Sequence, residues 1–226
     1  MNILLTHGYF LYDDPHELQV MKPYPPLGLL HLSAFLKREG FEVELFDSTF
    51  SQKEKLFQKL QDEQPPVLGL YINMMTKFNA LEIISAARAL DICVVVGGPD
   101  PPYYAEEYLD YGADFVVVGE GEQTLSELLR AIDGGSEREF GEIPGLVFKN
   151  ARGELIHNTP RELVKDLDSL PLPDRQAIDL EKYISTWREH HGQGAVSLIT
   201  SRGCPYRCTW CSHSVFGNTL RKRSPM

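Results

Sequence analysis

Residues 1–133 alternate short β-type runs with runs of helical spacing, the pattern of a parallel sheet covered on both faces. The first predicted strand is Asn2–Thr6. After a loop rich in Tyr, Asp and Pro, the segment LGLLHLSAFLKREG sets Leu29, Leu30, Leu32, Phe35 and Leu36 near helical spacing; Pro26 suits the start and Gly40 the C-terminal cap. A second strand is predicted at FEVELFD, where Phe41, Val43 and Leu45 alternate before Asp47. Further helices are predicted over Lys53–Glu63, Lys77–Leu90 and Ala105–Tyr111, with strands at Val67–Ile72, Ile92–Val96 and Asp114–Val118. Gly119-Glu120-Gly121-Glu122 then leads into TLSELLRAI, a helix whose first-turn carboxylates complement its dipole. Five strands with intervening helices describe an α/β domain over 1–135, a doubly wound parallel five-stranded sheet of Rossmann-like or flavodoxin-like type. Ligands of such sheets bind outside the carboxyl ends of the strands, so the loops to search are 7–25, 73–76, 97–103 and 119–124.

The pattern changes at Gly134-Gly135-Ser136. GLVFKNARGELIHN reads as a hairpin turning near Asn150–Gly153, and a Pro-bearing linker, SLPLPDR, follows, giving a hairpin-and-linker region over 136–193. Residues 195–200, AVSLIT, resemble one buried strand that opens a third segment, 194–226, and leads directly into a cysteine cluster.

Composition narrows the function classes. Hydrophobic residues make up 42% and charged residues 24%, which fits a folding globular chain. Lys plus Arg is 22 against 32 for Asp plus Glu, a net charge of −10, so no nucleic-acid partner is expected and the one basic cluster is Arg221-Lys222-Arg223. That cluster reads either as a solvated strand face or as residues approaching a ligand. No apolar run approaches the ~20 residues that span a bilayer, and MNILLTHGYF lacks a basic leader, so the chain reads as cytoplasmic with no membrane partner.

Three of the four cysteines, Cys204, Cys208 and Cys211, fall in Cys204-Pro205-Tyr206-Arg207-Cys208-Thr209-Trp210-Cys211, a C-x3-C-x2-C loop. Cys93 stands alone in an apolar run and reads as a small buried hydrophobe. Three thiolates on one tight loop can hold three irons of a [4Fe–4S] cluster and leave the remaining iron open to a substrate. The alternative is a zinc site completed by a histidine such as His213.

The cysteine segment, with an aromatic residue just before its last cysteine, closely resembles the signature of the radical S-adenosylmethionine (SAM) superfamily. The resemblance implies a strand-to-loop position at the mouth of a partial (β/α) barrel, with Cys204, Cys208 and Cys211 as the metal ligands. It also implies that SAM is chelated by the unique iron and cleaved to a 5′-deoxyadenosyl radical. Upstream, PPLGLLHLSAFLKREGFEVELFD, VVVGGPDPPYYAEEYL, ADFVVVGEGEQTLSELL, IPGLVFK and DLDSLPLPDR resemble the cobalamin-binding domain that precedes many radical SAM enzymes. CTWCSHSVFGNTLRKRSP is most similar to the branch that includes the anaerobic magnesium-protoporphyrin monomethyl ester oxidative cyclase.

Strand-end residues are the cobalamin candidates. Gly97 and Gly98, before Pro99, would let backbone approach a large flat ligand, and Gly119, Glu120 and Gly121 repeat this one strand later. His7 and Gly8 close the first strand, and Asn73 and Met74 the third. Asp14-Pro15-His16 begins like the D-x-H-x-x-G motif that supplies a lower axial histidine, but position 19 is Gln and the helix starts too far downstream, so the match reads as chance. Tyr71-Ile72-Asn73 stands where that family has Ser-x-Leu, so no histidine is expected on cobalt.

The expected protein is thus the N-terminal portion of a cobalamin-dependent radical SAM enzyme, cut shortly after its cluster loop at the truncated start of the barrel and inactive by itself. Its cofactors would be a [4Fe–4S] cluster, SAM and cobalamin; its partners, a small-molecule substrate and an external electron donor of ferredoxin or flavodoxin type. Methyl transfer and oxidative cyclisation at an unactivated carbon, on a substrate such as a tetrapyrrole, both fit. Two alternatives stand beside it: a radical SAM enzyme whose N-terminal domain has lost cobalamin, and a flavodoxin-like module with a zinc tail.

Overall fold

The computed structural model describes residues 1–135, 137–211 and 215–225. In chain order the elements are β1 (Asn2–His7), α1 (Pro15–Val20), α2 (Leu27–Arg38), β2 (Glu42–Phe46), α3 (Lys53–Glu63), β3 (Val67–Tyr71), α4 (Lys77–Arg88) and β4 (Cys93–Gly97). They continue with α5 (Ala105–Tyr111), β5 (Phe115–Val117), α6 (Gly121–Gly134), α7 (Glu137–Phe140), β6 (Leu146–Lys149), β7 (Leu155–His157), α8 (Leu180–His191), β8 (Ser201–Arg202) and β9 (Arg221–Lys222).

Strand order in the main sheet is β2-β1-β3-β4-β5-β6-β7. The first five strands are parallel, in registers such as Leu4↔Leu68 and Val95↔Phe115. Because the chain leaves β1 for β2 on one side and returns to β3 on the other, the sheet reverses direction between β1 and β3, and a crevice opens at their carboxyl ends. The predicted five-stranded sheet is therefore present but wider: the hairpin β6–β7 pairs antiparallel with β5, Phe115 opposite Phe148, and makes seven strands. The reason is apolar area. Leu146, Val147 and Phe148 would be exposed on a free hairpin, and here all three are buried against the edge.

Two cores lie on the two faces of the sheet. Leu4, Leu68, Leu70, Val94, Val96 and Val116 meet α3, α4 and α5 through Leu56, Ile83, Ile84 and Tyr108. Ile3, Leu5, Val67, Val95 and Val117 meet α2 and α6 through Leu29, Leu36, Leu125 and Leu128. Alternation along β1 and β4 thus buries both sides, as expected of a strand covered by helices on each face. Each fully buried Leu or Val adds roughly 1.5–3 kcal/mol.

Three further departures concern the 7–25 loop and the downstream region. The loop at 7–25 contains α1, capped by Asp14, whose carboxylate accepts from His16 N at 2.8 Å and Glu17 N at 3.2 Å. The linker contains α8, which begins at an Asp179 cap and ends at Gly192. The predicted buried strand at 195–200 is not formed: exposure alternates along it, with Val196 and Leu198 facing out, and no ladder partner is present among the described residues. Period-two alternation specifies extended backbone, but a ladder also needs a neighbouring strand.

Candidate cofactor cavity and cysteine loop

At the carboxyl ends of β1, β3, β4 and β5 lies a cavity of about 1200 Å³. That exceeds the ~300–1,000 Å³ of ordinary small-molecule clefts. It continues downward as a slot between sheet and helices, with Leu5, Gly69, Val95 and Val117 on one wall and Leu29, Leu32 and Leu125 on the other.

His7, Gly8, Asn73, Gly97, Gly98, Pro99, Gly119, Glu120 and Gly121 all line the cavity. Met74 does not; its side chain is 77% exposed, and its neighbour Met75 is the one on the lining. The exclusion is local: Asn73 Oδ1 accepts from Met75 N at 2.9 Å and Thr76 N at 3.0 Å, an Asx turn that carries Met74 over the outside of the bend.

Backbone, rather than side chain, forms much of the floor. Gly98 has φ +115, and a Cβ there would lie 2.4 Å from Ile72 O, so the turn leaving β4 admits only glycine. Gly28, in the first turn of α2, lines the cavity with no atom within 4 Å of where a Cβ would stand.

His7 is buried and both ring nitrogens are engaged. Nε2 meets Asp47 Oδ1 at 3.2 Å and Nδ1 accepts from Tyr9 N at 3.2 Å. It shapes the turn after β1 and has no lone pair left for a metal. His16 is exposed and lies off the lining, in line with reading its motif as chance. His31 of α2, which the sequence pattern does not single out, lines the cavity at 5% exposure with Nδ1 lacking a hydrogen-bond partner. Burial foremost, with Arg202 beside it, lowers its pKa and keeps it neutral.

Glu120, expected as a cofactor contact, lines the cavity, and its carboxylate also holds protein partners. Its Oε1 accepts from Arg202 Nη1 at 3.0 Å, and its Oε2 accepts from Arg221 Nη1 at 2.8 Å and Val164 N at 2.7 Å. Glu122, two residues on, accepts from Arg202 Nη2 at 2.5 Å. A carboxylate buried to 3% side-chain exposure is stable only when charge and hydrogen bonds compensate it, and here they do. Arg202 stands two residues before the first loop cysteine, but a sequence cannot show that its partners lie 80 positions upstream.

The cysteine loop sits at the rim of the same cavity. Cys204 and Cys211 line it and Cys208 does not; Cys204 is half-buried, and Cys208 and Cys211 are both exposed. None of the four cysteines forms a disulfide. Among the described residues no three Cys, His, Asp or Glu side chains converge on a metal-binding geometry. His213, the zinc alternative, lies outside the described residues. Cys93 is half-buried and its thiol is pushed up to about 12 by burial and by Asp114, the profile of an inert packing group. Arg221 is buried in the Glu120 pair and Arg223 Nη2 donates to Leu170 O at 3.0 Å, while Lys222 between them is exposed, so only Lys222 of the basic run is solvated.

Residues 19–129 match the B12 binding domain family. The chain is 32% identical over 210 residues to an uncharacterized methyltransferase, PH0819, of Pyrococcus horikoshii, covering 88% of this chain and 43% of that one. It is 28% identical over 209 residues to the anaerobic magnesium-protoporphyrin IX monomethyl ester cyclase of a Synechocystis species, covering 89% and 40%. Among solved structures, the cobalamin-dependent S-adenosylmethionine radical enzyme OxsB with aqua-cobalamin and S-adenosylmethionine bound superposes with a TM-score of 0.78 at 27% identity, over 99% of this chain and 30% of that one. The chain thus spans less than half the length of these relatives. No helix among the described residues is long and apolar enough to cross a membrane. Over residues 19–129 the chain belongs to the B12 binding domain family, and along most of its length it is similar to part of longer enzymes that include a cobalamin-dependent S-adenosylmethionine radical enzyme.

Proposed function

We propose that the chain holds cobalamin in the cavity and a [4Fe–4S] cluster on Cys204, Cys208 and Cys211, as part of an enzyme that methylates or oxidatively cyclises an unactivated carbon. The observation that carries this reading is the shared cavity. Gly97, Gly98 and Gly119 on the sheet side and Cys204 and Cys211 on the loop side line one space, so two large redox groups would face each other across it.

The residues fit such groups. The glycine floor admits a flat macrocycle, the slot between Val95 and Leu125 admits a tail, and the three cysteines match a cluster that keeps one iron open. When bound, the cluster and SAM supply a carbon-centred radical and cobalamin supplies methyl or radical transfer. The chain itself does three things. It walls the slot with apolar side chains that exclude water, it fixes the turn after β1 through His7 and Asp47, and it holds the cysteine loop over the opening.

With His7 committed to Asp47 and Tyr9, β1 offers no free imidazole to a group bound in the cavity. Reducing equivalents come from a cytoplasmic donor of ferredoxin or flavodoxin type, and the substrate is a small molecule. Anaerobic reconstitution with iron and sulfide, followed by metal analysis, tests the cluster. About four irons per chain are expected. Stoichiometric zinc with no iron uptake would overturn the assignment.

A further inference from the structure

Four charged side chains join the cysteine loop to the cavity domain. β8 and β9 form a two-residue ribbon with Arg202 opposite Arg221, and the loop they bracket closes at its neck through Cys204 N to Gly217 O at 3.3 Å. Between the ribbon and the first cysteine stands Gly203, with φ +79 and a would-be Cβ 2.2 Å from Thr219 O, so the neck cannot widen to admit a side chain. Arg221 Nη2 donates to Phe216 O at 2.9 Å and thereby grips the returning strand of the loop.

Both arginines then reach the corner between β5 and α6. Arg202 spans Glu120 and Glu122, and Arg221 takes the other oxygen of Glu120. All four side chains have at most 7% exposure, and two guanidinium groups balance two carboxylates. The positive end of the α6 dipole adds to the stabilisation of Glu122 in its first turn. A buried network of this kind is a poor source of net stability compared with apolar packing, but its geometry is directional and admits one register. The ribbon is further anchored by Arg221 Nη1 on Val164 O at 2.7 Å, by Arg223 on the carbonyls of Leu170 and Pro171, and by Ser224 N on Asp168.

We propose that Arg202, Arg221, Glu120 and Glu122 are positioning residues, a clamp that fixes the cysteine loop at the cavity rim and so sets the placement of its metal group relative to the ligand in the cavity. The clamp rests on the proposed function only for the identity of those two groups. The same corner carries Gly119 and Gly121 on the cavity lining, so a displacement of the loop is referred directly to the cavity floor.

The test uses the full chain with Glu122→Gln, which keeps size and an acceptor oxygen, and Arg202→Lys, which keeps charge but loses the fork. Without cofactors, amide hydrogen exchange is expected to rise at least tenfold at residues 203–211 in both variants, while β3 and β4 keep the parent's protection. After anaerobic loading with iron, sulfide and hydroxocobalamin and reduction, electron paramagnetic resonance reads the magnetic interaction between cluster and cobalt. It is expected in the parent and reduced in Glu122→Gln at unchanged cofactor content. Unchanged exchange at 203–211 in both variants, or an unchanged magnetic interaction, would overturn the clamp. If Arg202→Lys also loses protection in β3 and β4, the milder Glu122→Gln decides. A parent that takes up neither cofactor overturns the functional reading instead, and the exchange data still decide the clamp.

Discussion

The Tyr183 hydroxyl donates to Asp47 Oδ2 at 2.7 Å, and through this bond the linker helix α8 is tied to the end of β2 and, via His7, to the turn after β1. Tyr183 is fully buried, and Phe50 packs edge-on against its ring at 4.7 Å. The wall of the cavity is therefore held from behind by a residue 136 positions away from the carboxylate it serves.

Tyr183→Phe removes one hydrogen bond to a charged acceptor and leaves the packing intact. The expected loss is about 2 kcal/mol. A chain of this size should then melt roughly 4–8 °C lower by calorimetry, with cavity-lining strands otherwise native.

Asp47 gives the fold an acid limb. Burial pushes its pKa up, but hydrogen bonds from His7, Tyr183 and Thr49 N outweigh that and leave it below the usual carboxylate range. A depressed folded-state value means the stabilisation is complete above the unfolded value of about 4 and is lost as pH falls through the folded one. Melting temperature against pH should drop along this limb in the parent and drop less steeply in Asp47→Asn.

His31 acts in a higher window. Because its folded-state pKa lies below the ordinary histidine value of about 6.5, protonation opposes folding: stability is complete above that pH and falls as pH is lowered through the window toward the folded value. His31→Leu should flatten the decline in melting temperature between about pH 7.5 and 5.5, because it removes both the titration and the unpartnered Nδ1. An identical decline in the variant would refute this.

Gly97 and Gly98 line the same cavity but should respond differently to alanine. A Cβ at Gly97 meets only Val117 at 3.7 Å, an ordinary contact, whereas at Gly98 it meets Ile72 O at 2.4 Å with φ +115. Backbone strain of this type is worth about 1–3 kcal/mol. Denaturant midpoints should place Gly98→Ala well below the parent and Gly97→Ala close to it.

Much of the fold is legible in the sequence because the apolar runs of β1, β3, β4 and β5 are short, buried on both faces and separated by helices with recognisable ends such as Pro26. Sheet width was not: whether Leu146–Phe148 pair with β5 or form a separate hairpin depends on a neighbour that local pattern does not encode. The glycine floor was readable, since a glycine at a strand end points to the cavity wherever that end lies. The roles of Glu120 and His7 were not, because a carboxylate or imidazole at a strand end is equally consistent with holding a ligand and with holding the fold. Only Arg202, Arg221 and Asp47, distant in sequence and adjacent in space, decide between the two. Met74 and Met75 show the same limit at one-residue resolution: both are largely exposed, and only Met75 touches the cavity lining.

The account stands most directly on corrinoid uptake. The reconstituted chain is titrated with hydroxocobalamin under anaerobic conditions and passed over a gel-filtration column, with absorbance read at the corrinoid bands. About one cobalamin per chain should travel with the protein peak. A colourless peak with all the corrinoid in the small-molecule fraction would contradict the assignment of the cavity.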